Sequence, residues 1–346
     1  MAMLTAAPDD QGRRLDRVLR KALPELPLSL IHRLLREGRV LVDGRRRGGD
    51  FRVAAGQAIS LPAGIGEGRA AEGRITGGPA KGVLPWPGGG ALRIIYEDAD
   101  FLVLDKEAGL PVHGGGGSLE ALARAHLSPR LPPSLSFRPG PLHRLDKPTS
   151  GIVVFSASLE GARRFSALLR EGKIRKQYLA LVEGSLTEPG IWEDPLLRDR
   201  ETRKTAPAAE GKTARTRFSP LAPHPAGAGG RAGPGGRDYS LLVMEPETGR
   251  THQIRAHAAA HGHPLGGDAK YGGKPLPSAL LPAAIMPPVV AAASPGPPAF
   301  LLHAWKLLPL GNAGGLPPLE APPPDYFLAA VEKIFGRGII SRQRLD

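Results

Sequence analysis

His143-Arg144-Leu145-Asp146-Lys147-Pro148-Thr149-Ser150-Gly151, running into Ile152-Val153-Val154-Phe155, decides how this chain is read. The apolar run is a short buried strand, and the Pro and Gly before it make a turn. That turn carries a carboxylate flanked by His, Arg and Lys. Neighbouring cations favour the ionised form, so Asp146 is expected to be a ready anion at neutral pH. An anion there can serve as a nucleophile, a base or a metal ligand. The kinase catalytic loop is an alternative, but it reads H-R-D. Here the order is H-R-L-D, no glycine-rich loop of the right spacing precedes it, and no D-F-G follows.

Working outward, Leu92 to Glu97 and Phe101 to Asp105 read as strands around the turn Asp98-Ala99-Asp100. Gly114 to Gly117 precede a helix starting near Ser118. They read as a loop, since no P-loop or dinucleotide spacing is present. Gly211-Lys212-Thr213 ends like a P-loop, but Ala206 stands where the first glycine is required. A second dense segment is Thr248-Gly249-Arg250-Thr251-His252-Gln253-Ile254-Arg255-Ala256-His257, continuing through His261 and His263 to Asp268. His257 and His261 have an i, i+4 zinc spacing. The glutamate of H-E-x-x-H is missing, so no metal is expected. On a helix, His252 and Arg255 share a face that His257 does not, and Arg255 can project at a partner. Helices are expected at 118–127, 158–170 and 250–262, the middle one capped by Ser158. Mixed with short strands, they indicate an α+β fold.

The 346 residues carry 46 Lys plus Arg against 33 Asp plus Glu, a formal charge of +13. Hydrophobic residues make up 41%, enough for a sizeable core. The absence of Cys excludes disulfides, Cys-ligated zinc, iron–sulfur clusters and thiol nucleophiles. There is neither an apolar run of membrane-spanning length nor a signal-peptide pattern, so a soluble cytoplasmic protein is expected, without a membrane role. The basic balance points to a polyanionic partner.

Gly (46) and Pro (37) are unevenly spread. Residues 63–91 read as a linker, and 221–237 and 275–299 as surface loops inserted in a compact domain. The chain thus divides into a small module at 12–62, the linker and a large domain at 92–336. In the module, Leu15, Val18, Leu19 and Leu23 recur at helical spacing, as do Leu30, Ile31, Leu34 and Leu35. Val40-Leu41-Val42 reads as a strand and Asp43-Gly44 as a hairpin turn. Between Arg13 and Arg52 there are 12 basic and 5 acidic residues. Two helices on a hairpin sheet with arginines outward make a phosphate-binding surface, carried by Arg14, Arg17, Arg33, Arg36, Arg39 and Arg45.

The module resembles the alpha-L RNA-binding module first described in a small-subunit ribosomal protein. The resemblance rests on Arg14-Leu15-Asp16 and Gly38-Arg39-Val40-Leu41-Val42-Asp43-Gly44. The usual Ser-Arg opening of the second helix is Leu28-Ser29-Leu30 here, and the usual late Gly-Asp is Gly56-Gln57. The large domain resembles the RluA-type pseudouridine synthases over roughly 92–310. Their four ordered motifs appear as the Asp146 segment, Lys176 to Gly184, Gly249 to His257, and Leu302-His303-Ala304. Gly211-Lys212-Thr213-Ala214 with Thr216 resembles the family's G-K-x-A-x-T. Lys106-Glu107-Ala108-Gly109 departs from the usual K-P-A-G.

That resemblance implies a mixed, largely antiparallel sheet with the active cleft across it. It implies an isomerase that converts uridine to pseudouridine in RNA and needs no cofactor, since no atoms are gained or lost. It assigns Asp146 as nucleophile and has Tyr178 stack on the uracil and help with proton transfer. Arg255 would pair with Asp146, and Arg144 would enter the stack where the base has left. His143 belongs with Arg144 among the RNA-facing residues, while Thr149, with Ser150 and Gly151, would shape the turn. Large-subunit ribosomal RNA is the foremost substrate, with transfer RNA as an alternative, and the protein is expected to be a monomer. Two other readings compete: a non-catalytic RNA-binding or ribosome-assembly protein on the same fold, and a metal-dependent hydrolase built on His252, His257, His261 and His263.

Overall fold

The structure is a computed structural model. It describes residues 2–65, 83–85, 91–115, 117–131, 134–222, 236–281, 300–311 and 315–340. Most of the expected linker and most of the loops 221–237 and 275–299 lie outside these residues.

Two sheets are formed. In the first, β1 (Ala2–Thr5), β2 (Leu41–Val42), β3 (Arg45–Arg46) and β4 (Ala58–Leu61) are ordered β1-β4-β2-β3. They pack with α1 (Leu15–Ala22) and α2 (Leu28–Arg36). Leu15, Val18 and Leu19 from α1, Ile31 and Leu34 from α2, and Ile59 from β4 are buried together, as the helical spacing predicts. Asp43 and Gly44 both take positive φ, 49° and 75°, which the tight β2–β3 hairpin requires. Strand β1 lies upstream of residue 12, where the sequence reading starts the module. Its four residues pair with β4 from Ala2↔Leu61 to Thr5↔Ala58.

The second sheet has eleven strands: β5 (Val83–Pro85), β6 (Ala91–Glu97), β7 (Phe101–Lys106), β8 (Ser150–Ser156), β9 (Ile174–Glu183), β10 (Gly190–Arg198), β11 (Thr205–Pro207), β12 (Lys212–Ala222), β13 (Tyr239–Pro246), β14 (Leu302–Pro309) and β15 (Leu319–Glu320). The main path runs β11-β10-β12-β13-β9-β14-β8-β7-β6-β5, and β15 pairs with β14. Among the described residues every strand pairing of this sheet is antiparallel except β14 with β8. The sheet is thus mixed and largely antiparallel, as expected. Strand β5 falls inside the stretch read as linker and pairs with β6. Helices α3 (Leu119–Leu127), α4 (Leu159–Arg170), α5 (Gln253–Ala260) and α6 (Asp325–Phe335) complete the domain. Ser158 caps α4 through Gly161 N at 2.8 Å, as expected. Helix α5 starts later than expected because His252 sits at its N-cap with φ 55°. No helix among the described residues is long and apolar enough to cross a membrane.

β8 is buried along its whole length and carries the Asp146 turn at its start. The single parallel pairing brings Gly151 against Ala304. Gly151 has φ 106°, and a Cβ there would lie 2.2 Å from the Ala304 carbonyl oxygen. Only glycine permits β14 to approach the Asp146 turn this closely.

The small module and the large domain also meet. The buried Asp10 carboxylate accepts from Leu135 N at 3.1 Å and from the Ser136 hydroxyl. Arg13 Nη1 donates to the Ser136 carbonyl at 3.1 Å, and Leu135 packs against the core of the small module.

Candidate active site

The Asp146 turn is held from both ends. Thr149 N donates to the Asp146 carbonyl at 3.0 Å, as a tight turn requires. The Lys147 carbonyl accepts from Gly109 N at 2.9 Å and from Lys106 Nζ at 3.0 Å. Lys106 is fully buried and also donates to the carbonyls of Glu107 and Leu110. Burial pushes its pKa down to about 7, against the pull of Asp146, Glu107 and Asp105. The motif position where proline is usual is therefore a loop clamped by its lysine.

The Asp146 carboxylate, about one fifth exposed at 21%, faces a cleft of about 480 Å³. Arg255 Nη1 donates to its Oδ2 at 2.9 Å. The same guanidinium grips Asp268 in a two-pronged fork, Nε–Oδ2 2.6 Å and Nη2–Oδ1 2.8 Å. It lies between two rings, 4.7 Å from the Tyr271 centroid and 4.5 Å from that of Phe300. Burial works against the charge on Arg255, but the two carboxylates overcome it and raise its pKa. Arg255 is a rigid two-sided clamp, with its fork fixed on the fully buried Asp268 and its free corner aimed at Asp146.

His252 reaches the same carboxylate. Its Nε2 lies 3.7 Å from Asp146 Oδ1, and its Nδ1 pairs with the Tyr271 hydroxyl at 2.8 Å. Burial lowers its pKa, with Asp146 pulling the other way. The start of α5 is set by Gln253, whose Oε1 accepts from Thr248 Oγ1 and Arg250 N. Its Nε2 donates to the Arg215 carbonyl and to Thr216 Oγ1. Thr216 of the G-K-x-A-x-T motif therefore anchors the Gly249–His257 motif.

Along β9 the side chains alternate as a strand requires. Tyr178, Ala180 and Val182 pack with Ile254, Leu302 and Ala304, while Leu179 and Leu181 serve the other face. Tyr178 is buried and borders the cleft. Burial and the Asp146 charge push its pKa up, so the phenol stays protonated at neutral pH. Such a phenol can stack and donate a hydrogen bond; it cannot serve as a ground-state base.

Arg144 is exposed on the cleft wall, where a residue entering a nucleic-acid stack has to be. His143 is placed differently from the reading of it as an RNA-facing group. It borders the cleft, but its Nε2 accepts from Val154 N at 3.1 Å and its ring stacks on Phe165 at 6.1 Å. Burial pushes its pKa down to about 3. A neutral acceptor tied to the central strand serves the sheet. Thr149 is buried beside the cleft.

The four histidines of the second motif do not share one centre. His252 turns to Asp146 and His263 to the Glu183 carbonyl, while His257 pairs with Thr216 and has its Nε2 4.0 Å from Asp194, the carboxylate that His261 meets at 2.8 Å. Among the described residues no group of three or more His, Cys, Asp or Glu side chains could hold a metal ion.

His303 of the Leu302-His303-Ala304 motif is fully buried. Its Nε2 lies 3.0 Å from the Ala321 carbonyl, and its Nδ1 lies 2.9 Å from Ser150 Oγ. It ties β14 to β8 next to the Asp146 turn, and burial lowers its pKa to about 4. The sign of the resulting pH effect follows from linkage. His303 and His143 are neutral when folded but take up protons near pH 6.5 when unfolded. Their contribution is fully present above about pH 6.5 and is lost as pH falls toward 4. Each histidine removes about 1.4 kcal/mol per pH unit within that window. The melting temperature is expected to drop steeply between pH 6.5 and 4.5, and His303→Gln to shallow that slope. Equal slopes in the two proteins, followed by calorimetry, would count against a neutral His303.

Sequence reasoning placed Asp146, Tyr178 and Arg255 together, and the structure joins them. It missed Asp268, Tyr271 and Gln253. For Asp268 a signal existed: a lone acid directly after the His263–Gly267 stretch that follows the helix carrying Arg255.

Comparison with known proteins agrees with this geometry. Residues 100–260 match the family model described as RNA pseudouridylate synthase, and 13–59 match the S4 domain. A ribosomal large subunit pseudouridine synthase C of Vibrio vulnificus (strain CMCP6) is 34% identical over 269 residues, 76% of this chain and 78% of that protein. A ribosomal large subunit pseudouridine synthase D of Nitrosomonas europaea is 32% identical over 334 residues, 96% of this chain and 87% of that protein. The solved structure of Human RNA Pseudouridylate Synthase Domain Containing 1 shares the fold, with TM-score 0.51 and 24% identity over 70% of this chain and 87% of that one. A carboxylate clamped by arginine beneath a cleft and the match to relatives along most of the chain lead to one assignment: this chain belongs to the RluA-type RNA pseudouridine synthase family and carries an S4 domain at its N-terminal end.

Proposed function

We propose that the chain isomerises uridines of large-subunit ribosomal RNA to pseudouridine, with Asp146 as the nucleophile. The observation that carries this reading is the Asp146–Arg255 contact of 2.9 Å on the wall of an open cleft that also holds the Tyr178 ring. The substrate class is supported by the names of the relatives, ribosomal large subunit pseudouridine synthases C and D, which match at 34% and 32% identity.

In this reading the target nucleotide leaves its stack and enters the cleft, at a cost of a few kcal/mol. Arg144 fills the vacated position with its planar guanidinium. Tyr178 stacks on the uracil as a neutral phenol and supplies a hydrogen-bond donor. Asp146 takes part in breaking the bond from ribose to uracil nitrogen, as carboxylates do in glycosidic cleavage. The base turns, the ribose rejoins at carbon 5, and the proton from carbon 5 ends on the freed nitrogen. Arg255 holds the carboxylate in place throughout. Atoms and charge balance without a cofactor. The reading takes the protein to act as a cytoplasmic monomer.

The test is to map pseudouridines in ribosomal and transfer RNA from a strain lacking the gene. One or a few large-subunit sites are expected to disappear and to return when that RNA is treated with purified enzyme. Loss of a transfer-RNA site with an unchanged large-subunit map would transfer the substrate to tRNA.

A further inference from the structure

Away from the active cleft, the small module and the catalytic domain enclose a second cleft of about 1020 Å³. Eight of its twelve lining residues are Arg or Lys, and none is acidic. Arg13, Arg17 and Arg20 come from the module, on or beside α1. Arg138 and Arg163 come from the catalytic domain, Arg163 from α4. We infer that this cleft is a composite site for an RNA backbone, in which the catalytic domain completes the phosphate-binding surface of the S4 domain. The inference rests on the reading of this chain as an RNA-modifying enzyme and adds where the RNA outside the target nucleotide lies.

Three observations support it. The first is that the two walls are latched together. Asp10 of the module accepts from Leu135 N and the Ser136 hydroxyl, Arg13 donates to the Ser136 carbonyl, and Leu135 packs into the module core. These contacts lie within three residues of Arg138, so they set where Arg138 stands relative to α1. A hydrogen bond from Arg138 to the Lys21 carbonyl, at 3.4 Å, spans the same junction.

The second observation is crowded positive charge. Burial and the nearby Arg163 both lower the pKa of Arg13, while Asp10 and Asp9 pull the other way. The latch thus brings like charges together across the junction. A fold that holds cations in such a cleft at a cost is relieved by a bound polyanion.

The third observation is shape. Arg17 and Arg20 stand about one 5.4 Å turn apart on α1, and Arg13 lies just ahead of the helix. They present a row of donors along an open cleft. A small anion calls for convergent, enclosed donors, whereas a nucleic-acid strand offers a matching row of phosphates.

The consequence is a ruler. RNA held in this cleft lies at a fixed distance and angle from Asp146, because the latch fixes the module on the catalytic domain. The target uridine is then chosen partly by its separation from the bound segment.

The experiment uses the full-length protein and measures affinity for a fluorescein-labelled 24-base-pair RNA duplex by anisotropy, between 50 and 400 mM KCl. The variants are R138Q/R163Q and, as a control outside the cleft, R337Q. All three side chains are exposed, so folding should be little affected. R138Q/R163Q should weaken binding and lower the salt slope by about 1.5, since each lost phosphate contact removes about 0.7 to 0.9. The affinity ratio between 50 and 200 mM then shrinks about eightfold. R337Q should follow wild type. A slope and affinity for R138Q/R163Q equal to those of R337Q would overturn the composite site. So would displacement of the duplex by polyglutamate at equal charge concentration, which would assign the cleft to an acidic protein surface. Failure of the enzyme reading shows separately, as wild-type protein that binds the RNA and forms no pseudouridine in it.

Discussion

The Asp146→Asn protein is expected to bind RNA with near wild-type affinity and to turn over at least about 10⁴-fold more slowly. Asparagine matches aspartate in size, and its amide oxygen can still accept from Arg255 Nη1, now 2.9 Å from the carboxylate. The guanidinium keeps its fork on Asp268, so the clamp stays in place. What is lost is the anion that bonds to the substrate in the transition state. An interaction made only there lowers the rate and leaves binding alone. Release of tritium from carbon 5 of labelled uridine under single-turnover conditions reports the chemistry directly, because that position must lose its hydrogen when the new bond forms. A rate near wild type would remove Asp146 from the mechanism, whereas a wild-type protein that releases no tritium would favour the non-catalytic RNA-binding reading.

Local signals were legible in the sequence, and pairings between distant residues were not. Ser158 before Leu159 announces a helix start because the cap is a contact three residues long. Asp43-Gly44 announces a hairpin because few residues tolerate two successive positive φ values. Tyr178 and Arg255 were identified by the motifs that hold them, since neither a strand tyrosine nor a helix arginine is distinctive alone. By contrast, Ala2–Thr5 reads as nothing until Ala58–Leu61 is placed beside it, 56 residues later. His143 looked RNA-facing because it adjoins Arg144. A turn residue's direction depends on backbone geometry, which here gives the imidazole to Val154 N. The cationic junction was hidden for the same reason: Arg138 and Arg163 are unremarkable until Asp10 meets Ser136 across the chain.

Replacing Arg255 is expected to have two separable effects, one on stability and one on rate. Arg255→Met leaves the fully buried Asp268 carboxylate without its fork. Breaking a buried pair on one side costs about 3–5 kcal/mol. At about 2–4 °C per kcal/mol for a domain of this size, the melting temperature falls by roughly 6–20 °C. Removing both partners avoids that cost, because an apolar pair of similar volume is often neutral. Arg255→Met combined with Asp268→Leu should therefore recover most of the lost stability. It should not recover turnover. Asp146 would still lack the 2.9 Å donor that fixes its direction, and His252 stands farther off, at 3.7 Å. Misplacing a reacting group by about 1 Å can cost about 100-fold in rate, so the double variant should be at least that slow. Arg255→Lys should fall between, since an ammonium keeps the charge but cannot reach both carboxylates as a planar fork. Thermal melts and single-turnover rates on the same preparations separate the two effects. A double variant that melts like wild type and also reacts like wild type would mean that Arg255 serves the fold alone, with Asp146 oriented by other groups.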